Sequence, residues 1–137
     1  MGAINTAAYL ATIRSKMDAQ QQVVSYLEDQ LQKAILGNTS TKVSDITGTE
    51  GALETIYLDA GLIDDTGNGI GQEWIDAIND GNDSFPASGA VDQDYLRQIL
   101  YQARALLGEL RIEEQAWNGE VNSEKTLRKD VNDFAKV

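Results

Sequence analysis

The residues best placed to do chemistry lie in the run Asp64-Asp65-Thr66-Gly67-Asn68-Gly69. A calcium loop takes oxygen ligands at alternate positions, a Gly at the sixth and a bidentate Glu at the twelfth. Counted from Asp64, Thr66, Asn68 and Gly69 fall acceptably, but the twelfth residue is Ile75. The match fails at its most informative ligand, so the run reads as a solvated turn made of the residues turns prefer. Asn79-Asp80-Gly81-Asn82-Asp83 reads the same way. Glycoside hydrolysis needs two carboxyl groups a few ångströms apart; with 22 Asp and Glu in 137 residues such pairs are unavoidable, and no spacing selects one. The chain has no Cys and no His. That removes thiolate and imidazole metal ligands, disulfides, and triads built on a Cys–His or Ser–His pair. Nothing has the form of a phosphate-cradling Gly loop or an activated nucleophile. No catalytic residue, metal or cofactor is expected, and the chain reads as non-enzymatic.

A formal charge of −11 argues against nucleic acid, whose affinity comes from Lys and Arg releasing counterions, and against an anionic membrane surface. No run approaches the ~20 apolar residues of a membrane span, so no membrane insertion is expected. The first residues lack the basic start and apolar stretch of a signal peptide; any export is expected to proceed without a cleaved one. Met1-Gly2-Ala3-Ile4-Asn5-Thr6 fits a myristoylation pattern, but the helix that follows has no basic patch to supply the second membrane signal. The glycosylation triplets at Asn38 and Asn82 are equally short patterns.

Two apolar stripes dominate what remains. From Ala3 to Ala34 a 3-4 ladder runs Ala3, Thr6, Leu10, Ile13, Met17, Gln20, Val24, Leu27, Leu31 and Ala34, with Gln20 its main polar break. This heptad spacing predicts a helix over 3–36, stopped by Gly37-Asn38. The C-terminal ladder runs Leu96, Ile99, Ala103, Leu106, Leu110, Glu113, Trp117, Glu120, Glu124, Leu127, Val131 and Phe134. It predicts a helix over 92–136 with Asp92 as N-cap. Its second half sets Glu113, Glu120 and Glu124 on the seam, so the helix either bends at Asn118-Gly119 or packs weakly there. The two helices would be roughly 50 and 65 Å long, and each stripe is covered most simply by the other. The expected fold is therefore all-α, an antiparallel coiled-coil hairpin in one domain spanning 1–137.

Residues 37–91 hold nine of the 12 Gly, the only Pro, and ten acids against one base, Lys42. The acidity of the chain belongs to this connector. Short helices are expected over Glu50–Ala60, capped by Thr49 and stopped by Gly61, and over Gln72–Asn79 with Trp74, Ile75 and Ile78 inward; Asn38–Thr47 reads equally as a loop or a brief strand. So few bulky residues leave more stripe than one hairpin needs. Part of the seam then reads as a subunit interface, with Trp117 and Phe134 the foremost contacts outside the monomer.

Terminal helices pairing around a Gly- and Asp-rich midsection, with no Cys and one Pro, resemble bacterial filament subunits exported through a narrow channel. The stretch Trp74-Ile75-Asp76-Ala77-Ile78-Asn79-Asp80-Gly81-Asn82-Asp83, the turn at Gly89 and the acidic start Asp92-Gln93-Asp94 most resemble the EspA-like translocator filament proteins of type III secretion systems; flagellin-like subunits share the helical logic. The resemblance implies an extracellular homopolymer whose terminal helices pack in the wall, held before export by a small cytosolic chaperone. The alternative, from a different class, is a soluble helical adaptor that offers its acidic midsection to a basic partner. Because Ile75 occupies the twelfth loop position, a calorimetric titration with calcium chloride is expected to show no micromolar affinity; such affinity, abolished by Asp64→Ala, would make the midsection a cation site.

Overall fold

The computed structural model describes the backbone of residues 6–37 and 40–135, and the side chains of 7–37 and 40–119. It is mostly helical. In order come α1 (Thr6–Ile35), α2 (Val43–Thr47), α3 (Ala52–Asp59), α4 (Ile70–Gly81) and α5 (Gln93–Ala135), with no strand among the described residues. The long helices α1 and α5 pack along each other in opposite directions. Arg14 pairs with Glu114 at 3.4 Å, Gln21 accepts from Arg111 at 3.5 Å, and Glu28 pairs with Arg104 at 3.2 Å, so position rises on one helix as it falls on the other.

Local chemistry sets the ends. The Asp92 carboxylate accepts from the Tyr95 N–H at 2.8 Å, an N-cap bond that starts α5. Gly37 and Gly61 hold left-handed φ angles of 83° and 74° after α1 and α3, where an L side chain would meet its own backbone. α3 begins after Gly51 rather than Thr49, and position 51 admits only Gly because a Cβ there would lie 2.8 Å from the Gly48 carbonyl oxygen. The stretch left between loop and strand contains α2, whose first turn closes when the Asp45 carboxylate accepts from the Lys42 N–H at 2.8 Å. α4 is longer than its sequence-predicted span by two residues at each end.

The midsection folds back onto the hairpin rather than looping away from it. Its two ends meet in an isolated antiparallel bridge between Lys42 and Ala90, reinforced by N–H bonds from Val43 to Gly89, Ser44 to Ala87 and Val91 to Thr41, all 2.8–2.9 Å. Val43, Ile46, Leu53, Tyr57, Ile63, Ile75 and Ile78 then share one core with Val23, Leu27, Leu96, Ile99 and Leu100. The α1 stripe from Met17 to Ala34 belongs to this shared core, so the midsection covers seam that its few bulky residues lead one to expect left over. The acids face outward, with Glu54 alone of the ten half-buried.

Close approach between α3 and α4 depends on Gly71, where a Cβ would lie 2.7 Å from Tyr57 Cβ and 2.9 Å from its Cγ. Those atoms belong to the fixed stem of a fully buried ring and cannot swing aside. Gly71→Ala is therefore expected to lower stability by about 1–3 kcal/mol through overpacking. Gly119→Ala, at a helical position with nothing within 4 Å of the added atom, is expected to raise it by up to about 1 kcal/mol. Urea unfolding of the two variants checks both signs.

Candidate assembly seam

Gln20 holds the seam together at its centre. Its position in the a/d ladder makes it look like a flaw, yet the side chain is fully buried. Nε2 donates to the Ala103 carbonyl of α5 at 3.0 Å, and Oε1 accepts the Tyr57 hydroxyl of α3 at 2.6 Å. One amide thus joins three elements, with both its oxygen and its nitrogen engaged. Burial pushes the Tyr57 phenol well above its ordinary range, and the bond to Gln20 offsets only part of that. Trp74 packs edge-on against the same ring, centroids 5.4 Å apart.

A second polar link ties α4 to α5. The buried Asn82 donates from Nδ2 to the Ile78 carbonyl at 2.8 Å and to Gln102 Oε1 at 2.9 Å, while its Oδ1 has no partner among the described residues. At the start of α5, Tyr95 is buried against Phe85, and its hydroxyl lies 3.5 Å from Thr47 Oγ1. Burial raises the Tyr95 phenol too.

Along the seam, Leu10, Ile13, Val24 and Leu27 of α1 and Leu96, Ile99 and Leu110 of α5 are buried, while Met17, Leu31 and Leu106 are half-buried. Leu106 borders a cleft shared with Trp74, Ala77 and Ile78; its neighbour Leu107 is the one turned fully inward. At Glu113 the strict 3-4 phase and the structure part company. Glu113 is exposed, and Glu114 lies on the seam side, paired with Arg14. A helix of 3.6 residues per turn drifts about 20° per heptad against a 3.5 repeat, and over the two heptads from Ile99 to Glu113 the accumulated drift of about 40° carries Glu113 off the seam. α5 continues unbroken through Asn118-Gly119.

Trp117 is also corrected. It stacks on Tyr9 of α1, centroids 5.4 Å apart and planes 10° from parallel, so its partner lies within the chain. Leu127, Val131 and Phe134 fall within α5, but their side chains lie outside the described residues. Asp64 forms a closed turn: Oδ1 accepts from Thr66 N, Thr66 Oγ1 and Asn68 N at 2.6–3.0 Å, and these bonds hold its carboxyl below the usual range. Among the described residues no three His, Cys, Asp or Glu side chains gather as a ligand set, and no helix is long and apolar enough to cross a membrane.

Sequence reasoning missed Gln20 and Asn82 as structural links. A lone polar residue in an apolar ladder is the available signal, but its partners sit 37 and 83 residues away. No protein-family profile, curated protein or solved structure matches the chain.

Tyr57→Phe leaves Gln20 Oε1 buried without a donor, which is expected to cost about 1–3 kcal/mol at neutral pH. A phenol whose pKa is raised on folding keeps its full contribution below the unfolded value, about 10, and loses it as pH climbs above that. The parent chain should therefore lose thermal stability above about pH 10, and Tyr57→Phe should flatten that decline. Melting curves from pH 7 to 11 follow both effects.

Proposed function

We propose that this protein is a structural subunit that self-assembles through its long helices into an extracellular, secretion-related filament and catalyses no reaction. One observation supports the reading: past the Tyr9–Trp117 stack, the last described link between α1 and α5, helix α5 runs on to Ala135. The residues after Trp117 span roughly 27 Å of helix, and their ladder of Leu127, Val131 and Phe134 keeps the 3-4 spacing of a coiled-coil seam. A stripe of that length beyond the last described contact is suited to another copy, and a contact of that head-to-tail kind propagates instead of closing.

The acidic midsection fits the same reading. Nine of its ten acids are exposed, and packing so many carboxylates into a dry contact would be costly, so this end stays at the water-facing surface of the polymer. The resemblance to EspA-like translocator filaments points to export without a cleaved signal peptide and to a cytosolic chaperone that covers the seam beforehand. The runner-up, a soluble adaptor using the acidic surface, differs in that it would not elongate.

Leu110 is buried between α1 and α5, so a charge there would break the monomer; Val131→Asp is the cleaner probe. The parent chain is expected to sediment as growing species with concentration and added salt, which screens repulsion between midsections, and to show filaments by electron microscopy. Val131→Asp is expected to abolish elongation with unchanged helical circular dichroism. A strict monomer at high concentration and high salt would contradict the filament and favour the adaptor.

A further inference from the structure

The outer face of α5, turned away from α1, is built differently from the rest of the surface. Tyr101 is 75% exposed and Ile112 70% exposed. Between them on the same face, at spacings of four, three and four, lie Ala105 and Gly108. No charged residue interrupts this line, in a chain that is 24% charged. Gly108 sits inside the helix, where Gly is disfavoured by about 1 kcal/mol relative to Ala, and a Cβ there would meet nothing within 4 Å. Nothing among the described residues requires it to be Gly. Two large exposed apolar side chains flanking two small residues form a surface that a second helix can approach closely.

The charges beside the line identify the partner and its direction. Arg97, Arg104 and Arg111 recur every seven residues along one flank, and Glu109 stands on the other. If Tyr101, Ala105, Gly108 and Ile112 are taken as d, a, d and a of a heptad, the three Arg occupy g and Glu109 occupies e. In a parallel pair each g residue meets the e residue five positions on in its partner, which sets Arg104 against Glu109 of a second copy, twice by symmetry. In an antiparallel pair g meets g, and Arg would face Arg. Pairing at e and g is what fixes orientation in coiled coils. Arg104 already reaches Glu28, but both side chains are about half exposed, and a guanidinium carries five donors. Glu109 has no ion pair among the described residues.

We infer that a second copy of this chain docks in parallel on the outer face of α5, through Tyr101, Ala105, Gly108 and Ile112, with Arg104 of each copy on Glu109 of the other. The contact lies on the opposite side of α5 from α1, so it leaves the hairpin intact. It rests on the self-assembly reading only in taking a second copy as partner: this pairing closes on itself, whereas the projecting end of α5 propagates. The two acidic midsections then stand at one end of the dimer, where their repulsion is left to solvent screening.

The full chain has no Cys, so single substitutions report proximity cleanly. Under mild oxidation at physiological salt, Ala105→Cys is expected to give a disulfide-linked dimer, because a parallel pair brings position 105 opposite itself. Gln22→Cys, on the exposed face of α1, is expected to stay monomeric on the same gel. Ile112→Lys, at a 70% exposed site, should weaken dimerisation in sedimentation by about tenfold or more with unchanged helical circular dichroism; tenfold corresponds to about 1.4 kcal/mol. Failure of Ala105→Cys to link, or equal linking by Gln22→Cys, overturns the parallel contact, as does Ile112→Lys without effect. A polymer that forms while Ala105→Cys stays unlinked defeats only this contact. A linked dimer that never elongates defeats only the filament.

Discussion

A buried amide governs this architecture. Gln20 sits where an apolar ladder calls for Leu, and it is tolerated only because Ala103 supplies an acceptor and Tyr57 a donor at the same moment. An unsatisfied buried polar group costs more than a satisfied one contributes, so the arrangement is all-or-none. Sliding α1 against α5 by one turn strands the Gln20 nitrogen, and lifting α3 off the hairpin strands its oxygen. Leu at position 20 would remove that selectivity and leave the Tyr57 hydroxyl to find another partner. Register between the long helices and docking of the midsection are thereby specified by one side chain, the role that single polar core residues also play in coiled coils.

From that point the molecule divides into two regimes. Around Gln20 the midsection closes over the hairpin. The bridge at Lys42 and Ala90 ties its ends, α3 and α4 meet across Gly71, and Asn82 fastens α4 to Gln102 of α5. Apolar side chains point inward and carboxylates outward, which lets a segment of charge −9 belong to the core without burying its charge. Toward the other end, past Leu110, only α1 and α5 remain in contact among the described residues. The Tyr9–Trp117 stack and the Arg14–Glu114 pair are the last described links, and both are partly open to solvent. Surface ion pairs of that sort contribute about 0–1 kcal/mol, so the described part of the distal arm depends on its apolar contacts.

The long helices and their pairing were legible in the chain itself, because apolar residues recurring at 3-4 spacing leave no other economical burial. Asp92 and Gly61 were legible as boundaries for the same reason that they act as boundaries, a carboxylate able to take an N–H and a residue able to take positive φ. Three features were not. Gln20 registered as a defect since its partners are remote in sequence. The midsection registered as a spacer since its core side chains are scattered among ten acids and nine glycines. The slip from Glu113 to Glu114 escaped a strict heptad count because a straight helix does not keep a 3.5 period. In each case the missing information is tertiary: which surface stands opposite, and at what angle.

Stability concentrated around Gln20 is one half of the central claim, and the proposed completion of the far end of α5 by another copy is the other. Residue-resolved hydrogen exchange, run on the same sample at low and at high protein concentration, addresses both halves at once. The expected result is strong protection across 17–34 and 95–110 at either concentration, with amides beyond 120 exchanging quickly when dilute and becoming protected when concentrated. Equal protection along the whole of α5 in the dilute sample, or no response to concentration beyond residue 120, would contradict it.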